Sequence, residues 1–388
     1  MPTSAIESCA RPGDTHARPA GVEITLGDAA ALDAQRAQAV ALLSALGLRE
    51  RTEVMPLDDG RCGLRLRLLD CVVREWAPQA NTLLLDQHLD RDSPGHPRAL
   101  DREIVAALLL GPLVMPYPSV DEFESAIDIR RHIVEAGRKT RLAFATSSAE
   151  RPERCWAYDE DKGFTIRAGC SLVEALTLAT QPEVSGGLYS FSCYRATEYV
   201  ILLAIAEVVR ERNPVLYEQL EQRCQQRAIR SAEFHDVFLR EFGSMEEPLP
   251  PCYYVPGDRL WFRNPDAASS DASGYEGSWV FYLGGGLFTN FWKADAPFTL
   301  ESKCIEIYHW RHATFKDAAG ETRIDEDIVE SQVRDTLSAP QKVHDILSTM
   351  MHLRAPRGVH GQGGCIDATR ECARWVCPNS SDLVLPVQ

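Results

Sequence analysis

The sequence predicts an α+β fold, and three observations carry that expectation. Helical and strand periodicities alternate through 22–111, and the apolar segment Val200 to Val209 has the character of a buried helix. From Arg259 to Trp292 the chain breaks into short apolar runs punctuated by glycine, proline and asparagine, the pattern of strands and tight turns. With 388 residues, 45% hydrophobic and 25% charged, the chain is large enough for two domains, or for one with extensions.

The elements follow in order. Residues 1–20 carry Pro, Ser, Arg and His without an apolar core and read as a disordered tail rather than a signal peptide. The N-terminal α/β region, 21–115, holds a helix over 28–48 with Ala and Leu at helical spacing, then Gly63-Leu64-Arg65-Leu66-Arg67-Leu68, whose alternation suits a half-buried strand. A short helix is expected over 102–110. The prolines at 112, 116 and 118 mark a linker, since proline disfavours helix before it.

The central region, 119–316, opens with a helix from Ser119-Val120-Asp121-Glu122 to Gly137, and Ser171 with Glu174 three residues on forms a capping box for another. The stretch Tyr189-Ser190-Phe191-Ser192-Cys193 leads into the long helix, which ends before Asn213-Pro214. Asp258 in Pro256-Gly257-Asp258 is expected to hold its turn through the side chain. Gly284-Gly285-Gly286 serves tight reversal, because no lysine or helix start follows as a phosphate loop requires. Cys304 to His312 alternates as a strand would, with a helix as the other reading. C-terminal helices over 325–337 and 340–353 fill 317–356, and the Gly- and Cys-containing tail, 357–388, is expected to be poorly ordered.

A net charge of −15 excludes a nucleic-acid footprint and favours cationic partners, which suits an amine substrate. No stretch reaches membrane-spanning length. The 12 cysteines, scattered without CxxC pairs, suggest reduced thiols in a cytoplasm, and Cys365, Cys372 and Cys377 near His360 match no zinc spacing. No cofactor or metal is implied.

Cys193 is the residue with chemistry to offer. At the mouth of a helix, unpaired backbone N–H groups and the helix dipole favour a thiolate. The bland alternative is a small buried hydrophobe.

Five blocks then resemble the transglutaminases of spore-forming bacteria, minimal relatives of the papain-like (NlpC/P60-like) cysteine proteases. They are Leu142-Ala143-Phe144-Ala145-Thr146-Ser147 with Cys155-Trp156, Lys162-Gly163-Phe164-Thr165-Ile166, Ser171-Leu172-Val173-Glu174-Ala175, the Cys193 block, and 256–266. Together they span roughly 121–306. The resemblance implies a papain-like core, with Cys193 taking an acyl group from a protein glutamine as a thioester and passing it to a primary amine.

It also implies departures. The family's two glutamates fall at Ser192 and Ser278, and its histidine at Asn290; these three are assigned positioning or oxyanion roles. The general base is then expected from His309 or His312, with Glu276 second. Because a thioester donor needs less acid help than a glutamine, an alternative is an amide-forming acyltransferase using a carrier-protein thioester. A non-catalytic scaffold is a further alternative, supported by the two serines.

Overall fold

The structure, a computed structural model, describes residues 18–144, 149–355 and 363–386. The expected tail, 1–20, lies almost wholly outside the described residues, as does His360. Helices and sheets are mixed throughout, in keeping with α+β.

A four-stranded sheet forms first, in the spatial order Thr52–Pro56, Gly63–Leu68, Val22–Thr25 and Met115–Tyr117. The alternation at 63–68 does what its period dictates. Leu64, Leu66 and Leu68 are fully buried, while Arg65 and Arg67 turn outward to bind Glu23 (3.1 Å) and Glu53 (2.7 Å) across neighbouring strands. The expected linker at 111–118 is corrected here. Met115–Tyr117 runs parallel to Val22–Thr25, and the apolar core beneath this sheet continues through Phe123 and Ile127 to Tyr253 and Val255. Prolines punctuate the backbone locally, but an edge strand tolerates one at Pro116.

The main sheet has six strands, in the order Phe298–Thr299, Leu287–Phe288, Gly277–Gly284, Arg259–Arg263, Arg370–Ala373 and Leu239–Phe242, each antiparallel to its neighbours. Its fifth strand comes from 357–388, which was expected to be loose. Gly-rich composition misled there, because Arg370, Glu371, Cys365 and Ile366 are all buried. The helix Cys193–Arg212 packs between the Val120–Lys139 helix, the Leu172–Thr180 helix and the Gly277–Gly284 strand. It buries Ala196, Val200, Leu203, Ile205 and Val209 on several faces, as an apolar stretch without an amphipathic stripe must.

Turn chemistry locks these layers together. Asp258 accepts the Val255 N–H and receives Arg130 from the Val120–Lys139 helix, both at 2.7 Å, so this carboxylate holds both its turn and a helix. Gly284, Gly285 and Gly286 all have positive φ, and a Cβ at Gly284 would meet the Glu103 carboxylate at 2.6 Å. Glu103 in turn accepts the Gly285 N–H at 2.9 Å. Helices Leu300–Trp310, Glu326–Leu337 and Pro340–Met350 cover the far part of the sheet.

The thiols are not all reduced. Cys155 and Cys170 flank the hairpin formed by Trp156–Asp159 and Gly163–Ile166, which brings their Cα atoms to 5.6 Å, and they form a disulfide. Spacing of 15 residues gives no hint of this; the hairpin does. No helix of the described residues is long and apolar enough to cross a membrane.

Glu103 generates a pH prediction. Burial, aided by Asp86, pushes its carboxyl up to about 7, against the pull of the Gly285 N–H and Arg138. An acid whose pKa is raised on folding contributes stability that is complete below its unfolded value of 4.5 and is lost as pH rises through about 7. Glu103→Gln removes the dependence while keeping an acceptor for Gly285. Relative to wild type it is expected to gain about 2.5 kcal/mol between pH 5 and pH 8 in urea unfolding; equal differences at both pH values would contradict the burial argument.

Candidate active site

Cys193 is the first residue of its helix. Ser192 stands before it with extended backbone (φ −81°, ψ 157°), and its hydroxyl accepts the Arg195 N–H at 3.2 Å. Behind the cap, Ser190–Phe191 pairs in parallel with Ala143–Phe144, which fixes where the chain enters the helix.

Half-buried, the Cys193 side chain faces the main sheet. Burial pushes its thiol up, and four groups oppose that: the backbone of Trp279 and of Tyr194 by hydrogen bonding, and the charges of Lys303 and Arg259. Every one of the four favours a thiolate, yet burial outweighs them, so the free protein holds a protonated thiol at neutral pH.

Arg259 organises the floor of this site. Its Nε donates to Thr197 Oγ at 2.8 Å and its Nη1 to Glu371 at 2.7 Å. The guanidinium lies 4.0 Å over the Trp279 ring and 4.5 Å over Tyr194. Tyr194 meets Trp279 edge-on at 5.3 Å, and Trp261 stacks beyond it. Lys303, buried on the Leu300–Trp310 helix, pairs with Glu306 at 3.1 Å and lies 4.1 Å over Phe298. The site therefore offers a cysteine at a helix mouth, backbone donors, two buried cations and an aromatic wall.

A family model described as protein-glutamine gamma-glutamyltransferase matches residues 81–385, more than three quarters of the chain. The chain belongs to that family. Its chemistry is therefore acyl transfer of the transglutaminase kind. The match extends well beyond the 121–306 span of the recognisable blocks, taking in the C-terminal helices and the Arg370–Ala373 strand. Among solved structures, the transglutaminase from Geobacillus stearothermophilus, without its C-terminal extension, is similar at 19% identity and a TM-score of 0.39, over 56% of this chain and 98% of that one. No curated protein matches the chain.

The structure gives the expected bases partners of their own. His309 lies on a helix, not a strand: the capping box of Thr299 and Ser302 starts Leu300–Trp310 in helical register, which overrides the apparent alternation. Its Nε2 is 2.8 Å from Thr336 Oγ1 and its Nδ1 is 3.1 Å from His312 Nδ1. Burial, with His312 and Arg311, pulls His309 down to about 4 and so leaves it neutral. Neither histidine is among the principal groups acting on the Cys193 thiol.

The other assigned positions serve local structure. Glu276 is exposed, accepting the Gly274 N–H at 3.1 Å. Ser278 sits opposite Phe262 in the strand pair, and Asn290 closes its own loop through Ala296 and Lys293. Sequence reasoning missed Lys303, Arg259 and Glu371. A buried-looking arginine in Arg259-Leu260-Trp261-Phe262 was the one available signal, since such a cation demands a partner that periodicity does not supply.

Two expectations follow. Peptide-resolved iodoacetamide alkylation of Cys193 should rise with a midpoint above the ordinary thiol value of about 8.5; a midpoint below 7 would contradict the dominance of burial over the groups that favour a thiolate. Glu371→Ala strands the Arg259 charge and should cost about 3–5 kcal/mol in urea unfolding, whereas a loss under about 1 kcal/mol would show that the pair is not structural.

Proposed function

We propose that Cys193 is the nucleophile of an acyl transfer that joins a protein glutamine to a primary amine. The observation that carries this is its setting: the first turn of a buried helix, where the backbone of Trp279 and Tyr194 and the charges of Lys303 and Arg259 all favour negative charge at sulfur. In the first half-reaction sulfur attacks the glutamine carboxamide, the C–N bond breaks, and the thiol proton leaves with ammonia. In the second the amine attacks the thioester, the C–S bond breaks, and the amine proton restores the thiol. Backbone N–H groups at the helix mouth are suited to hold the oxyanion in both steps. The papain-like core, and a catalytic unit spanning 119–316 with the flanking regions as additions, belong to the same proposal.

One observation favours a second reading. Ser192 and Ser278 offer no carboxylate, and burial holds the thiol protonated, so neither of these positions helps expel ammonia. A carrier-protein thioester already carries a good leaving group and needs no such help. A scaffold that no longer reacts is the limiting case.

The test is intact-mass detection of an acyl adduct. With a glutamine-bearing protein and an amine probe, the expected result is amine incorporation and an adduct on Cys193, with Cys193→Ala abolishing both. Transfer from a carrier-bound thioester without glutamine-dependent incorporation supports the second reading. Neither reaction, or activity that survives Cys193→Ala, refutes the nucleophile.

A further inference from the structure

The helix Cys193–Arg212 has a second functional-looking face. Arg195, Glu198, Tyr199 and Leu202 fall between about 140° and 240° round the helix from Cys193, and they line a cavity of about 420 Å³ that Cys193 does not touch. Its remaining walls come from the 156–164 hairpin, the 224–234 segment and Phe191.

Two buried charged groups in this wall are incompletely satisfied. Arg151, 7% exposed, has no carboxylate hydrogen-bonded to it among the described residues: Nη1 donates to the Glu150 and Ser190 carbonyls at 2.6 and 3.3 Å. Its guanidinium is packed among Phe191, Tyr199 and Phe164, at 3.5, 4.5 and 4.9 Å from the ring centres. Its Nε has no hydrogen-bond partner among the described residues. Glu198, 1% exposed, pairs with Arg195 at 2.7 Å and accepts from Ser231 at 3.2 Å through Oε2, while Oε1 has no partner among the described residues.

Such groups are expensive. A buried guanidinium with no carboxylate hydrogen-bonded to it among the described residues, and a buried carboxylate oxygen without a donor, each cost free energy that a bound partner would offset. The two demands are complementary in sign. Between them stand aromatic and aliphatic walls. We propose that this cavity binds a small zwitterion with an apolar body, its carboxylate received by Arg151 and its ammonium by Glu198. The site lies on the face of the helix opposite the nucleophile, so it does not depend on the role assigned to Cys193. Because Ser192 borders it while capping the helix, occupancy also reaches the backbone that presents the cysteine.

The test uses the full chain and three probes of one shape: L-phenylalanine, 3-phenylpropionate and phenethylamine, titrated by calorimetry. The expected order is L-phenylalanine tightest, with phenethylamine at least about tenfold weaker. Arg151→Gln should weaken both carboxylates by about tenfold or more, and Glu198→Gln should weaken L-phenylalanine but not 3-phenylpropionate. Wild type alone can overturn the proposal, whatever the variants' folding: no saturable binding of either carboxylate up to about 10 mM, or equal affinity for all three probes, would sink it. Binding that persists unchanged in well-folded Arg151→Gln would equally refute it.

Discussion

The buried pair of Arg259 and Glu371 is the constraint on which the site region depends. Arg259 belongs to the middle of the main sheet, Glu371 to the strand contributed by the last part of the chain, and Thr197 to the first turns of the cysteine helix. One guanidinium thus couples three segments far apart in sequence, and its flat faces meet Trp279 and Tyr194 beside the thiol. Removing a cation of this size from water costs several kcal/mol, which the carboxylate, the hydroxyl and the aromatic faces offset together. His235 completes the carboxylate's shell at 3.0 Å.

That architecture explains the character of the cysteine. Positive charge and backbone donors are gathered round the sulfur, but they sit inside a wall of aromatic rings, and exclusion of water opposes them. A thiol so placed is shielded in the resting protein. Of the serines beside the thiol's surroundings, Ser192 caps the helix and Ser278 lies in the strand opposite Phe262.

The helix bearing Cys193 has two chemically different sides. Towards the sheet it presents sulfur, Tyr194 and Thr197 to cations; away from it, Glu198 and Tyr199 face a cavity shared with Arg151. An element buried on all sides can do this because each side has charged groups of its own. The hairpin closed by the Cys155–Cys170 disulfide forms part of the second wall, so covalent linkage and ligand space are neighbours.

Much of this was legible in the sequence. The alternation of Leu64, Leu66 and Leu68, the capping serines 119 and 171, the glycine reversal at 284–286 and the carboxylate turn at Asp258 are local patterns, determined by backbone period and turn chemistry within a few residues. Cys193 at a helix mouth was legible for the same reason. What only the tertiary structure decided was everything that requires distant segments to meet. The residues 357–388 look loose by composition yet supply Glu371 to Arg259; His309 looks like a base yet is turned towards Thr336; Lys303 looks like a surface charge yet lies buried near the thiol. Local propensity sets where a helix begins, but only packing sets which charges share its surroundings, and those charges determine what its cysteine can do.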